Sequence, residues 1–234
     1  MRLNRIVPQI SDEVSLYAKI QIIISTIAKV GRGIRLKPFL KKSTGPLFVG
    51  KHVKLMNSQY ISVGKNVKFE DYSEVQGLST AGLIFGNSVT VGRGVLIRPS
   101  SYYGVGHIGD GLIIGNNSSI GPNGFIGCAG LITIGENVMI GPGVTMIAEN
   151  HVFKDEYASI KSQGVVQKGI TIEEDVWIGA NVTILDGVIV HHGSVIGAST
   201  IITRDIPADS VVIDRREKKI KERNTNVTTG SFHD

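Results

Sequence analysis

His151 is the strongest candidate for a catalytic residue in this chain of 234 residues. It lies in the run Glu-Asn-His-Val-Phe-Lys-Asp, residues 149–155, where polar side chains surround the imidazole. An imidazole titrates near neutral pH, so it can take a proton from a hydroxyl group under cellular conditions. A single histidine is also a common structural or surface residue. The spacing alone therefore leaves both interpretations open.

Other patterns that could carry chemistry fit no recognisable site. Cys128 is the only cysteine, so it cannot form an internal disulfide, and we expect its thiol to pack inward. Gly104, Gly106 and Gly109 match the pattern Gly-x-Gly-x-x-Gly, but they do not lie between a predicted strand and a helix. We therefore expect loop glycines here and no dinucleotide site.

The remaining histidines do not form a metal site around His151. A zinc enzyme of the γ-carbonic anhydrase type needs three histidines that converge on one ion. His191 and His192 are adjacent and are expected to face different ways, and His107 is a surface residue or an acceptor contact in another segment. We expect no metal.

The elements that position these residues follow from an internal period of six residues. A branched or large apolar residue leads each hexad, and glycine often follows it. A helix would scatter this period around its circumference, whereas a short strand and a corner place each leading residue inward, and three strands close a triangular coil. The sequence therefore predicts an all-β parallel β-helix. The leading residues are Phe85, Val91, Ile97, Ile114, Ile120, Ile126, Ile134, Ile140, Met146, Ile172, Ile178, Ile184, Val190, Ile196 and Ile202.

The breaks in this period divide the chain. We expect an N-terminal helix and connecting segment at residues 1–47, the β-helix at 48–207, and a basic tail at 208–234. Insertions are predicted at 103–113 and 152–171, so His151 lies where a rigid coil meets a protruding loop. A rigid mount beside a loop suits a catalytic base.

The N-terminal segment is predicted to form a helix over residues 11–30, with Asp12 and Glu13 in its first turn. We expect the helix to cap the open end of the coil. Its apolar positions are Val14, Tyr17, Ile20, Ile24 and Ile27.

The charge lies mainly near the two ends. Residues 215–223 hold six basic and two acidic residues, a net +4 of the total +5, so the body is nearly neutral, which argues against a nucleic-acid binder. Basic residues also follow the helix, and the two clusters are either solvated or hold the protein reversibly on an anionic membrane. The longest apolar run, residues 20–28, is too short to span a bilayer. We expect a cytoplasmic protein, with this possible contact at the inner membrane face.

The second half of the chain resembles a known family. The stretches Asp-Val-Trp-Ile-Gly-Ala-Asn-Val-Thr-Ile at 175–184, Val-Ile-Gly-Ala-Ser at 195–199 and Ile-Thr-Arg-Asp-Ile-Pro at 202–207 are similar to the closing coils of the hexapeptide-repeat acyltransferases. The likeness spans residues 85–207. It is nearest to the maltose and galactoside O-acetyltransferases and to the O-acetyltransferases of bacterial surface polysaccharides, and it implies a left-handed coil.

The resemblance also implies roles for individual residues. His151 matches the general base that removes the proton of an acceptor hydroxyl as it attacks the thioester of acetyl-coenzyme A, and a backbone N–H at Gly179 or Ala180 matches the oxyanion donor. Asn150 and Asp155, beside the base, are the candidate contacts to the acceptor.

The same resemblance implies a homotrimer that binds coenzyme A in the grooves between subunits. Ala180, Ala198, Thr203 and Arg204 match residues that contact the coenzyme, and Trp177 matches a tryptophan that lines the site. Arg204 stands where the family more often has lysine. After residue 207 the chain departs from the family, which usually continues Gly-x-Pro-Ala, so the role of the tail is open.

The predicted function is therefore acetyl transfer from acetyl-coenzyme A to a sugar hydroxyl, in a bacterial surface polysaccharide or its precursor. An N-acetyltransferase of an amino sugar or a xenobiotic acetyltransferase would have nearly the same sequence features. A non-catalytic scaffold is a further alternative, although the long loop and Trp177 argue against it.

Overall fold

A computed structural model describes residues 10–99 and 107–214. The chain winds into a triangular coil whose three faces are parallel sheets, and each strand pairs with the strand one turn earlier and one turn later. The first sheet contains β1 (Lys42–Ser43), β4 (Ile61–Val63), β7 (Gly82–Phe85), β10 (Gly111–Ile114), β13 (Ile132–Ile134), β18 (Ile170–Ile172) and β21 (Ile189–Val190).

The other two sheets have the same construction. The second sheet contains β2 (Leu47–Val49), β5 (Val67–Phe69), β8 (Thr90–Val91), β11 (Ser119–Ile120), β14 (Met139–Ile140), β19 (Trp177–Ile178), β22 (Val195–Ile196) and β24 (Val211–Val212). The third sheet contains β3 (Lys54–Met56), β6 (Glu74–Gln76), β9 (Leu96–Arg98), β12 (Phe125–Gly127), β15 (Thr145–Ile147), β20 (Thr183–Leu185) and β23 (Ile201–Ile202). A separate antiparallel pair consists of β16 (Asn150–His151) and β17 (Val165–Val166).

The predicted hexad register is confirmed. All fifteen leading residues are buried, and each stacks on its equivalent in the next turn, so that Ile120, Ile140, Ile178 and Ile196 follow one another in the second sheet. Burying large aliphatic side chains contributes roughly 1.5–3 kcal/mol each, so this column is the main source of stability. Cys128 packs inward as expected, and burial raises the pKa of its thiol.

Glycine follows nine of the fifteen leading residues. None of these glycines has a positive φ: the left-handed corners are taken by other glycines and by residues such as Asn117, Asn137 and Asp175. The glycines instead let adjacent turns approach closely: a Cβ on Gly121 would lie 2.5 Å from the carbonyl carbon of Gly141. Glycine is needed there for space between backbones.

The N-terminal helix caps the coil, but with different boundaries and a different face from those predicted. α1 (Leu16–Leu36) begins after Ser15, whose hydroxyl accepts the N–H of Ala18, so Asp12 and Glu13 precede the helix. It is followed by a 3-10 turn at Lys37–Phe39, and other such turns lie at Ser58–Tyr60 and Ile160–Ser162. None of the helices within residues 10–99 and 107–214 is long and apolar enough to cross a membrane.

The C-terminal half of α1 makes the contacts with the coil. Gly33 is buried against Leu47, and the guanidinium Nε of Arg32 donates to the carbonyl of Val49 at 2.7 Å. Lys29 pairs with Glu70. The cap is therefore held by two polar side chains, a glycine and Leu36, which packs against the core, while the apolar positions predicted from the sequence lie elsewhere on the helix.

Strand pairing extends beyond the predicted limits of 48 and 207. It begins at β1 and ends at β24, which adds a strand to the second sheet. The turns at these ends depart from the strict hexad, so the sequence pattern does not mark them. Residues 215–234, with the basic run at 215–223, and most of the first insertion, with Gly104 and Gly106, lie outside the described residues.

Gly121→Ala should destabilise the protein by about 1–3 kcal/mol, because the added methyl group overpacks two adjacent turns. The free energy of unfolding is measured by urea denaturation. Gly31→Ala is the control: no heavy atom lies within 4 Å of the position that its Cβ would take, so this exposed helix position should be neutral or gain up to about 1 kcal/mol. Equal effects of the two substitutions would show that close approach of the turns does not set the preference for glycine.

Candidate functional site

His151 lies on a short hairpin that leaves the rigid coil. The chain passes from β15 in the third sheet to β16, where Asn150 pairs with Val166 and His151 pairs with Val165. It returns to β18 in the first sheet, so the hairpin projects from the corner between these two sheets. Both side chains are exposed, and within the described part of the chain the imidazole of His151 has no hydrogen-bond partner. Backbone pairing therefore positions His151 and leaves its ring exposed to solvent.

The loop beyond the hairpin is organised by Gln163. Its side-chain amide donates to the carbonyls of Asp155 and Ala158, at 2.9 and 3.1 Å, and its oxygen accepts the N–H of Asp155 at 3.0 Å. The carboxylate of Asp155 accepts the N–H of Tyr157 at 2.9 Å. One carboxylate oxygen of this predicted acceptor contact is thus used to shape the loop.

Asp186 anchors the returning end of the same loop. Its carboxylate accepts the backbone N–H groups of Lys168, at 2.9 and 3.1 Å, and of Gly169, at 2.9 Å. Asp186 belongs to the turn of the coil that follows the loop, so the coil holds the loop in place. Sequence reasoning missed both Gln163 and Asp186. The pair Asp186-Gly187 at a corner was the available signal, because this dipeptide is typical of a turn with side-chain bonds to backbone.

The loop exposes three large apolar side chains among charged and polar ones. Phe153, Tyr157 and Ile160 expose 71%, 100% and 58% of their surface. Exposed large apolar side chains that cluster on one loop mark a surface that contacts a ligand or another protein. These three side chains are the feature of the loop that its polar composition does not indicate.

The predicted coenzyme contacts on the second sheet lie close together. Trp177 is half exposed in β19, between Met139 and Val195 of the neighbouring turns. A Cβ added to Gly179 would fall 2.7 Å from the backbone N of Ala198, so these two residues are in direct contact. They lie just after the second sheet, where the chain turns toward the third.

Backbone hydrogen bonding distinguishes the two candidate oxyanion donors. The N–H of Gly179 donates to the carbonyl of Ile196 at 2.7 Å, as part of the sheet. Ala180 is half buried, its carbonyl accepts the N–H of Ser199, and its own N–H has no partner among the described residues. Of the two, only the Ala180 N–H is free to donate to a ligand.

Thr203 and Arg204 line an open cleft of about 680 Å³ at the last turn of the coil. They follow β23 in the third sheet, so they project from the same corner as His151. β23 lies two turns beyond β15. The strand spacing therefore places β23 about 10 Å from β15 along the coil axis. His151, Thr203 and Arg204 therefore share one edge of the coil.

The structure does not bring all the predicted residues into one pocket. Trp177, Ala180 and Ala198 lie on the second sheet or at its far corner, whereas His151 and Arg204 occupy the corner between the third and first sheets. A single triangular coil separates these two groups. The two groups therefore lie at different corners of the coil.

His191 and His192 do not face different ways, contrary to the expectation from sequence. Their Nδ1 atoms lie 3.1 and 3.3 Å from the two carboxylate oxygens of Glu173. The backbone N–H of His192 also donates to this carboxylate, and together with the imidazoles it lowers the pKa of Glu173. The adjacent pair turns both rings toward one acidic side chain. Across residues 10–99 and 107–214, no cluster of three or more His, Cys, Asp or Glu could hold a metal ion.

Comparison with known proteins gives matches along most of the chain. Residues 169–204 match the family described as bacterial transferase hexapeptide (six repeats). Galactoside O-acetyltransferase of Lactococcus lactis is 30% identical over 182 residues, which covers 76% of this chain and 84% of that protein. Galactoside O-acetyltransferase of Escherichia coli is 36% identical over 138 residues, or 58% of this chain and 64% of that protein. The match covers 44% of a putative acetyltransferase of Schizosaccharomyces pombe and 33% of an N-acetyltransferase of Staphylococcus aureus.

A solved structure supports the fold independently of sequence. A mutant of the N-acyltransferase AntD of Bacillus cereus, crystallised with dTDP and coenzyme A, has a TM-score of 0.52 and is 14% identical, with 83% of this chain and 90% of that chain covered. At that identity the likeness concerns the fold alone. With the identity that extends along most of the Lactococcus lactis enzyme, the parallel three-sheet coil makes the chain a member of the hexapeptide-repeat acyltransferase family, with the left-handed β-helix fold of that family.

Proposed function

We propose that this protein transfers the acetyl group of acetyl-coenzyme A to a sugar hydroxyl of a bacterial surface polysaccharide or its precursor. The observation that carries the proposal is the exposed, unpaired imidazole of His151 on a hairpin fixed to the coil. Relatives named galactoside O-acetyltransferase support a sugar hydroxyl as the acceptor.

The reaction needs a base and an oxyanion donor. His151 takes the proton of the acceptor hydroxyl as its oxygen attacks the thioester carbon. The tetrahedral oxyanion receives a hydrogen bond from the N–H of Ala180, which is free for this purpose, whereas the N–H of Gly179 is used in the sheet. The C–S bond then breaks, the acetyl ester remains on the sugar, and the thiolate takes the proton that His151 holds.

The acetyl donor fits the remaining predicted residues. The small side chains of Ala180 and Ala198 let a pantetheine arm approach the corner of the coil, and Trp177 supplies an exposed ring beside it. The exposed guanidinium of Arg204 can bind phosphate with a pair of parallel hydrogen bonds, and Thr203 adds a hydroxyl. Lysine cannot form this paired geometry.

The division of these residues between two edges favours a site shared by subunits. We propose a homotrimer, in which the His151 edge of one subunit faces the Ala180 edge of the next. A heterologous contact of this kind closes into a ring when the rotation between subunits is 120°. Each of the three grooves would then contain one complete site.

The loop over residues 152–169 is proposed to bind the acceptor. Phe153 and Tyr157 offer exposed rings that can pack against the apolar face of a sugar, and Asn150 lies beside the base with donor and acceptor groups. We assign Asp155 mainly to loop structure, since Tyr157 and Gln163 already bind it. The reaction is placed in the cytoplasm, where acetyl-coenzyme A is made.

His151→Ala should lower kcat by about 10² to 10⁴ while coenzyme A still binds, since the substitution removes only the base. Acetyl transfer to a panel of sugars and amino sugars gives kcat, and calorimetry gives coenzyme binding. His192→Ala, which changes an exposed histidine outside the site, is the matched control and should keep full activity. A near-normal kcat in His151→Ala with the preferred acceptor would refute the assignment of the base.

Asp186→Ala should lower kcat and raise the KM for the acceptor, because the loop loses the acceptor for two N–H groups at its returning end. Asp186→Asn keeps one oxygen and should retain part of the activity. Asp71→Ala, in the first turns of the coil and far from the loop, removes a similar side-chain bond, to the N–H of Lys51, and should leave KM unchanged. If both alanine variants lost only stability, with unchanged KM, Asp186 would have no role in positioning the loop.

A further inference from the structure

The N-terminal helix presents an apolar stripe that the described part of the chain leaves uncovered. At 100° per residue, the stripe fills an arc of about 100° of α1, and its side chains expose between 47% and 74% of their surface. An apolar arc of this width on a helix normally faces a partner. Phe39, just after the helix, is also exposed. The stripe consists of Leu16, Tyr17, Ile20, Ile24, Ile27 and Ile34.

The stripe faces away from the coil, at the end where the coil begins. β2 is the outermost strand of the second sheet, and α1 covers its unpaired edge. There Arg32 donates to the carbonyl of Val49, and Gly33 lies against the carbonyl of Leu47. The centre of the stripe lies roughly 170° around the helix from these two capping residues. The stripe therefore points outward along the coil axis, and copies placed side by side with parallel coils present their stripes at the same end.

The same end of the molecule is strongly basic. Residues 14–69, which form α1 and the strands β1 to β5, contain eleven Lys and Arg and no Asp or Glu, whereas the whole chain has 25 basic and 20 acidic residues. The rest of the chain is therefore net negative, and the charge is polarised along the coil axis. Exposed basic side chains on α1 and on the first turn of the coil include Arg35, Lys41, Lys42 and Lys51.

We propose that this end of the protein docks on an anionic phospholipid bilayer, with α1 lying in the plane of the interface. Helices of this kind bury an apolar face at the boundary of the acyl chains while basic side chains bind the lipid phosphates. Arg35 lies at one border of the stripe. A helix is about 10 Å across, so Lys41, Lys42 and Lys51 on the first turn lie within about one Debye length of the phosphates. The apolar face and the basic turn therefore contact the same surface.

Charge argues against the occupants that this chain itself could supply. A second copy stacked end to end on the first would bring two basic ends together, and like charges at this distance repel. The segments outside the described residues, 1–9, 100–106 and 215–234, are neutral or basic in sequence, so none of them complements this end by charge. A surface that is both anionic and apolar below its charged layer fits both features.

Vesicle cosedimentation of the full chain tests the role of the stripe. The wild type should bind vesicles of phosphatidylglycerol and phosphatidylcholine, with a partition coefficient at least about tenfold higher than on pure phosphatidylcholine. Ile24→Asp places a carboxylate in the stripe and should lower binding by more than about tenfold. Ser25→Asp makes the same change in side-chain charge on the adjacent exposed residue, outside the stripe, and should lower binding only about two- to fivefold. Circular dichroism checks that both variants fold.

A pair of lysines on the first turn tests the role of charge. Lys41→Gln with Lys42→Gln should lower binding to the anionic vesicles by about ten- to thirtyfold, because each charge near the surface contributes about fivefold. Lys154→Gln with Lys161→Gln removes the same charge from the loop, far along the coil, and should change binding less than about twofold. Equal losses in the two double variants would show that only the net charge matters, which contradicts docking by this end.

A fluorescent probe on α1 reports insertion directly. The one native thiol, Cys128, is buried, so a cysteine placed on the helix is the one that reacts. An environment-sensitive fluorophore on Ile27→Cys should brighten several-fold on the anionic vesicles, whereas the same fluorophore on Ser25→Cys should change little. Equal responses at the two positions would overturn the proposal.

The remaining outcomes also separate docking from its alternatives. The proposal is overturned if the wild type does not bind anionic vesicles, if it binds neutral ones equally well, or if Ile24→Asp and Ser25→Asp bind equally. Light scattering without vesicles that gives Ile24→Asp half the mass of the wild type would identify a second copy as the occupant instead. Acetyl transfer to a soluble acceptor should be unchanged in Ile24→Asp, so docking and the proposed chemistry can fail independently.

Discussion

The spacing between successive turns of the coil is the constraint on which the rest of the structure depends. Parallel backbone hydrogen bonds set this spacing along three faces, and glycines such as Gly121 and Gly141 allow adjacent backbones to reach it. A rigid coil then fixes the position of each corner relative to the others. The relative positions of Ala180, Ala198 and Arg204 follow from their places in the repeat, and no flexible element is needed to assemble them. Preorganisation of this kind favours catalysis, because dipoles already aimed at a developing charge need no rearrangement.

The candidate functional residue His151 lies where the repeat is interrupted. The hairpin at β16 and β17 carries His151 away from the buried column, and the next turn of the coil holds the loop through Asp186. A regular coil buries its leading residues and exposes short corners, so it offers few concave surfaces for a substrate. A loop anchored at both ends adds a surface with exposed aromatic rings, while the backbone of His151 stays paired in a short hairpin.

Much of the fold could be predicted from the sequence, because the period of six makes every turn an independent repetition of the same signal. The register of residues such as Ile120 and Ile178 is evident for that reason. The role of the glycines could not be predicted, because the close approach of two backbones that are far apart in sequence leaves no local sequence pattern. The helix is predictable, but its capping face is not: the cap uses Arg32 and Gly33, which a search for apolar periodicity overlooks. At the candidate site, His151 stands out by its place at a break in the repeat, whereas Gln163 and Asp186 act on backbone groups and have no distinctive spacing.

The division of the site between two subunits is the central claim, and complementation between two inactive variants tests it most directly. His151→Ala removes the base from one edge, and Ala180→Trp blocks the groove at the other edge. When the two variants are produced together with different affinity tags and purified as mixed trimers, activity should return in about a third of the sites, because each mixed ring has one site that pairs an intact His151 with an intact neighbouring Ala180. Each variant alone should be inactive. Mixed oligomers that form but have no more activity than the separate variants would contradict the account, because every site would then lie within one chain.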